Sequence, residues 1–199
     1  STLSGNSATG GGAVYNYGTL TVRNTTFAGN SAGQGGVFYN DGGTLTLTNV
    51  TSAGNTASWG SSIRMEAGTA TVHNSIFVKA SGNNCYGAVA GGNNLANDTT
   101  CGAVTNSATI LLGAPGSYGG ATQTVPLLPG SVAIDAGDST KCPATDQRGI
   151  ARVGARCDIG AFESQGFTLG GLAGTPQSAV VNTAFTTPLG LTVTASNAG

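Results

Sequence analysis

The chain has 199 residues, a net charge of −1 and only 8% charged side chains, against about 25% in an ordinary globular domain. Its few Lys and Arg are scattered or sit beside acids, which excludes a basic surface for a nucleic-acid backbone, and no apolar run reaches the roughly 18 residues of a membrane span. Glycine supplies 34 residues, more than twice its usual share of about 7%, and with abundant Thr, Asn and Ser it indicates many short strands joined by turns.

The opening residues 1–11 carry neither the charged start nor the apolar core of an export signal, so the chain reads as a piece of a longer precursor. A repeat begins at once. Gly5-Asn6-Ser7-Ala8 returns as Gly29-Asn30-Ser31-Ala32 and again as Gly54-Asn55-Thr56-Ala57, a period of 24 and then 25 residues. In the same register Gly11-Gly12-Ala13-Val14-Tyr15-Asn16 aligns with Gly35-Gly36-Val37-Phe38-Tyr39-Asn40, and more loosely with Gly60-Ser61-Ser62-Ile63-Arg64-Met65. The extra residue of the second unit falls at Gly42-Gly43, a turn.

The second half of each unit alternates apolar and polar residues: Thr19-Leu20-Thr21-Val22, Thr44-Leu45-Thr46-Leu47 and Thr69-Ala70-Thr71-Val72. A period of 2 means strand. Leu20, Leu45 and Ala70 form one inward column, and Val22, Leu47 and Val72 the next. No single unit can close a core, whereas units stacked about 4.8 Å apart merge these columns into one. The fold class that follows is all-β, a parallel β-helix of 24–25 residues per coil. Asn6, Asn30 and Asn55, and likewise Asn24, Asn49 and Asn74, recur at turns, where Asn tolerates a left-handed backbone and its amide can bond to its copy one coil away; both sets are predicted to form structural ladders.

Beyond residue 77 the repeat degrades, and residues 108–112 and 131–134 read as strands of further, irregular coils, giving about six or seven coils over 1–165 at one strand spacing each. Cys85, Cys101, Cys142 and Cys157 lack the CxxC spacing of a zinc site and indicate disulfides made in an oxidising compartment. Three connectivities are open. Pairing Cys85 with Cys101 and Cys142 with Cys157 closes short loops worth about 3 kcal/mol each.

Four blocks in order carry a resemblance: Leu127-Leu128-Pro129-Gly130-Ser131, Ala133-Ile134-Asp135-Ala136-Gly137, Asp146-Gln147-Arg148-Gly149 and Cys157-Asp158-Ile159-Gly160-Ala161-Phe162-Glu163. Together with Gly82-Asn83-Asn84-Cys85 and Gly92-Asn93-Asn94-Leu95, they resemble the C-terminal part of bacterial extracellular choice-of-anchor Q proteins, which overlap with Pmp-like β-helix surface proteins. The resemblance covers residues 1–165 and implies a right-handed helix and a secreted or cell-surface location. The first explicit coil begins at residue 1 without a cap, so upstream coils are expected to be lost or supplied by another chain. Residues 166–199 resemble the opening strands of a bacterial Ig-like repeat, too short for a sandwich of about 100 residues. This segment is expected either to be truncated or to complete a sheet on a neighbouring molecule by strand addition.

In the regular coils the only ionisable side chains besides tyrosines are Arg23, Asp41, Arg64, Glu66 and His73. His73 shares an outward column with Arg23 and Thr48 and has no partner carboxylate placed by the repeat. Asp41 and Glu66 read as solvent-facing turn residues, although such acids near an Arg also suit a calcium-assisted lyase. Asp135 and Asp138 belong to a richer cluster with Asp146, Arg148, Arg152, Arg156, Asp158 and Glu163. A calcium or catalytic site can be drawn from it; the reading adopted is a salt-bridged cap of ion pairs over the last coil. A possible binding face comprises Thr19, Thr21, Thr44, Thr46, Thr69 and Thr71, a hydroxyl grid that would suit ice, and Tyr15 and Tyr39, with Tyr17 nearby, which would suit sugars. The predicted function is a non-catalytic extracellular structural or adhesive segment, without cofactor or resident metal, that associates with itself end to end, with neighbouring domains or with surface glycans. The alternatives are a polysaccharide lyase or hydrolase, or a glycan- or ice-binding face.

Overall fold

The computed structural model describes residues 1–102 and 105–196; residues 197–199 of the expected Ig-like segment lie outside that range. Three regular coils stack as the repeat requires. The first holds β1 (Thr2–Ser4), β2 (Ser7–Gly10), β3 (Val14–Asn16) and β4 (Thr19–Ala28); the second holds β5 (Ser31–Gln34) and β6 (Phe38–Ala53); the third holds β7 (Thr56–Trp59), β8 (Ile63–His73) and β9 (Ile76–Val78). Each segment pairs in parallel with its equivalent one repeat on; β4 and β6 run past the coil boundary, so Thr2 pairs with Thr26 and Thr51 with Ile76. Leu20, Leu45 and Ala70 are direct neighbours, as are Val22, Leu47 and Val72. The fold is therefore an all-β solenoid of about three turns.

Inward columns make the core. Phe38, Leu45, Leu47, Ile63 and Val72 are fully buried, with the Phe27 ring edge-on to Phe38 at 4.8 Å between centroids. Burial of each such side chain contributes about 1.5–3 kcal/mol. Corners between strands are set by glycine: Gly11, Gly35 and Gly60 occupy the same corner of successive coils, with φ of 64°, 64° and 68°, a backbone region that other residues enter only with strain.

The coil then shortens. β10 (Cys85–Tyr86), β11 (Ala90–Gly92), β12 (Leu95–Ala96) and β13 (Thr105–Asn106) complete a contracted fourth layer and begin a fifth. β11 crosses so close to β8 that a side chain at Gly91 would meet the Val72 carbonyl oxygen at 1.8 Å. The Cys85–Cys101 disulfide closes this end, with both cysteines buried against the core.

The expectation of six or seven coils fails here, and so does the expectation of strands at 108–112 and 131–134. Apart from isolated bridges such as Leu112 with Leu127, residues 107–165 form no strand. They run instead as a strap folded back and forth along one side of the coils: Gln123 reaches Thr2 of the first coil, Asp138 meets Asn74 of the third, Thr145 meets Asn24 of the first, and Asp158 and Gly160 meet Asn49 and Asn74. A second apolar cluster of Ile76, Leu95, Ile110, Leu127, Ala133, Ile159 and Phe162 holds the strap to the third and fourth coils. The physical reason lies in the strands beneath it: from Leu47 to Ser52 every residue of β6 is buried, so this stretch has two covered faces, core on one side and strap on the other.

After the strap, β14 (Phe167–Ala173) and β15 (Gly190–Ala195) form an antiparallel pair with one register irregularity. Residues 174–189 between them contain no strand, and Val180, Val181 and Phe185 are exposed there.

Candidate functional site

Two ladders of asparagine run through the coils. Asn6 donates its amide to Asn30 Oδ1 at 2.9 Å, and Asn30 donates to Asn55 Oδ1 at 3.0 Å, while the backbone N–H groups of Asn6 and Asn30 reach the same acceptors. A second ladder, missed in the sequence, links buried Asn16 to Asn40 Oδ1 at 2.6 Å; its signal was the shared Tyr-Asn dipeptide 24 residues apart.

Asn24, Asn49 and Asn74 do not form the predicted ladder. Each sits at positive φ, 45°, 51° and 49°, and each amide points outward into the strap. Asn24 donates to the Thr145 carbonyl at 2.7 Å, Asn49 to the Asp158 and Gly160 carbonyls at 3.1 and 3.2 Å, and Asn74 to the Asp138 carbonyl at 3.0 Å. Thr26 and Thr51 add bonds to Gln147 and to the Ala161 N–H.

The predicted cap is therefore a lateral clamp, because its residues face the sides of the first three coils rather than the end of the last. Asp146 pairs with Arg148 at 2.8 Å, both side chains fully buried, and Arg152 pairs with Glu163 at 2.7 Å, nearly so. Arg148 also lies 3.7 Å above the Phe162 ring, and Arg152 donates to Asn24 Oδ1 at 3.0 Å. Two members were misassigned as ion-pair partners. Arg156 donates to the Ala136 and Gly137 carbonyls, and Asp158 accepts backbone N–H groups from Asp135 and Ser164 at 2.8 and 2.6 Å. Burial pushes the Asp158 carboxyl up to about 6, against those two bonds and with help from the nearby Glu163 and Asp135 charges. Cys142–Cys157 ties the strap to itself beside Asn74.

The threonine grid has the predicted register, with Thr19, Thr44 and Thr69 in one column and Thr21, Thr46 and Thr71 in the next. Thr46 and Thr71 are half-buried and the other four exposed. Arg23, Thr48 and His73 form the adjoining column.

Across the Gly42-Gly43 turn lies a group of exposed and half-buried tyrosines and charged side chains. Tyr15 and Tyr39 stack at 4.7 Å and Tyr15 meets Tyr17 at 5.0 Å. The column continues through Arg64, whose guanidinium lies 4.0 Å over the ring of Tyr86. Tyr15 donates to Asp41 at 2.9 Å and Tyr39 to Glu66 at 3.4 Å, and Glu66 is paired with Arg64. The hydrogen bond with Tyr17 first, then burial and Asp41, hold the Tyr15 phenol above its ordinary range, so it is a hydrogen-bond donor rather than a base. The repeat alignment already set Arg64 level with Tyr15 and Tyr39, as the register has it; Tyr86 was missed, because the contraction of the fourth coil hides its alignment.

No known protein family, curated protein or solved structure matches this chain. The fold and the site therefore define only a class, a disulfide-bonded parallel β-solenoid with a lateral strap.

Proposed function

We propose that the chain is a non-catalytic structural and adhesive segment of an extracellular surface protein of the choice-of-anchor Q or Pmp-like kind, with the start of an Ig-like repeat at its C-terminal side. One observation carries the reading: Asn24, Asn49 and Asn74, on three consecutive coils, all bond to one returning strap. In a plain solenoid each repeat touches only its neighbours, so the stack can fray from either end. A strap that touches every regular coil couples them, which suits a rigid spacer under tension. The two disulfides support an oxidising location, and no helix of the described residues is long and apolar enough to cross a membrane.

The ionic cluster supports a scaffold better than catalysis, since Asp146, Arg148, Arg152 and Glu163 are buried and engaged with one another and with backbone. Self-association belongs to the same reading: β14 and β15 form a two-stranded sheet with exposed Leu169, Leu172, Leu191 and Val193, to which strands of another copy can be added. Pulling single molecules tests the spacer role, with one cooperative rupture of residues 1–165 expected and stepwise coil-by-coil extension contradicting it. Assays for new reducing ends or unsaturated products on acidic and neutral polysaccharides test the absence of catalysis, and turnover would overturn it.

A further inference from the structure

Four of the five tyrosines and the single tryptophan gather at one corner of the solenoid. Tyr15, Tyr17, Tyr39 and Tyr86 belong to the column described above. Trp59 lies in the column of Gly10 and Gln34 on the neighbouring sheet. The two columns face one another across the Gly11-Gly12 turn: a side chain at Gly10 would touch Tyr15 Cε2 at 3.5 Å and Tyr39 Cδ2 at 3.6 Å. Further along the same two columns, Gln34 is level with Trp59 and Gly10 by register, and Trp59 is placed opposite the Arg64 layer.

Elsewhere on the solenoid large rings are inside, as Phe27, Phe38 and Phe77 show. At this corner they are outside: Tyr17 is 71% exposed, Trp59 51%, Tyr86 46% and Tyr15 45%. Tyr15 and Tyr39 stack on each other and form a wall, leaving open ring surface on Tyr17 and Trp59, while Tyr86 carries Arg64 over one face of its ring and is 46% exposed. Polar groups lie between the rings. Asp41 and Glu66 offer carboxylate acceptors, and the Gln34 amide has no hydrogen-bond partner among the described residues.

We propose that this corner binds a neutral glycan chain lying along the solenoid axis, and that it is the adhesive surface of the scaffold; the inference rests on the non-catalytic adhesive reading above. Open aromatic surface packs against the C–H faces of pyranose rings, and carboxylates and amides accept and donate to their hydroxyls. Charge selects the class. The corner holds two acids, Asp41 and Glu66, and one base, Arg64, which is already paired with Glu66, so no free positive charge exists for a uronate or sulfated polymer.

Trp59 is the only tryptophan in the chain, so its emission reports on this corner alone. The intact chain is titrated with cellohexaose, xylohexaose and mannohexaose as neutral probes and with oligogalacturonate as the anionic one. A saturable change in Trp59 emission with at least one neutral probe is expected. Tyr17→Ala should raise the half-saturation concentration about ten-fold, the equivalent of about 1.4 kcal/mol. Gln34→Ala should raise it too, with unchanged circular dichroism, while Thr21→Ala on the threonine grid leaves it as it was. No saturable change with any neutral probe, a response to oligogalacturonate alone, or equal binding by Tyr17→Ala and Gln34→Ala overturns the proposal. Those results leave the scaffold reading standing, since that is decided by pulling and turnover assays.

Discussion

Asn74 and Asp138 hold each other by a reciprocal pair of bonds: the Asn74 amide donates to the Asp138 carbonyl at 3.0 Å, and the Asp138 N–H donates to Asn74 Oδ1 at 2.8 Å. The two residues are 64 positions apart in sequence, and their contact fixes the strap to the third coil before the chain passes to Thr145 at Asn24 of the first. Asn74 serves two roles, since its φ of 49° also turns the chain between β8 and β9. Asn74→Gly keeps the turn and loses the side-chain bonds, and should cost about 1–3 kcal/mol. Asn74→Ala adds the strain of a left-handed backbone and should cost about 1 kcal/mol more. Urea unfolding of the two variants separates the roles; equal stability of Asn74→Gly and the parent would mean that the strap does not depend on this pair.

Asn30 is the middle rung of its ladder and is fully buried, donating to Asn55 and to the Leu3 carbonyl and accepting from Asn6. Asn30→Asp retains the acceptors but cannot donate, and buries a charge; it should destabilise more than Asn30→Ala, itself costing about 2–4 kcal/mol from unpaired buried groups. Asn6→Ala, at the exposed end, should cost under about 1 kcal/mol. Thermal melts of the three variants test the order.

Arg152→Met leaves the Glu163 carboxylate buried without its ion-pair partner, which should cost about 3–5 kcal/mol. The double variant Arg152→Met/Glu163→Gln removes the orphaned charge and should recover a large part of that loss. A double variant as unstable as the single one would assign the effect to Arg152's bonds to Asn24 and Gly160 instead.

Asp158 gives stability an unusual slope with pH. Its folded carboxyl is raised to about 6, above the unfolded value of about 3.9, so the folded state binds the extra proton between those values. Its contribution therefore weakens as pH rises from about 4 to 6 and is least favourable above that. Asp98 behaves oppositely. Burial opposes its ionisation, but Lys79 and the N–H groups of Asn84 and Thr100 prevail and hold its carboxyl below the usual range, so its contribution is lost only in stronger acid. Melting temperature measured from pH 4 to 6 should depend less on pH in Asp158→Asn than in the parent.

Much of the solenoid was legible because the physics of stacking is written in the repeat. Leu45 must sit over Leu20 for either to be dry, and the spacing of Gly11 and Gly35 fixes the corner between them. The Asn6, Asn30 and Asn55 positions followed from the same register, while the two local disulfides were one of three connectivities the sequence left open. The strap was not legible. Nothing in a period of 24 or 25 shows that the side chains of Thr26 and Thr51 are covered by residues more than 100 positions away. The outward turn of the Asn24, Asn49 and Asn74 amides depends on that same distant segment. Tyr86 was hidden for a local reason, since Cys85 pairs with Ile63 at a spacing shorter than the repeat.

Native-state hydrogen exchange tests most directly whether strap and coils are one unit. The Gly160 N–H bonds to the Asn74 carbonyl at 2.8 Å, and the Ala161 N–H to Thr51 Oγ1 at 2.9 Å, while Leu45 and Leu47 lie at the centre of β6. If the strap clamps the coils, the amides of Gly160, Ala161, Leu45 and Leu47 exchange with the same opening free energy and the same denaturant dependence. Fast exchange of Gly160 and Ala161 through a local opening, with Leu45 and Leu47 still protected, would contradict it.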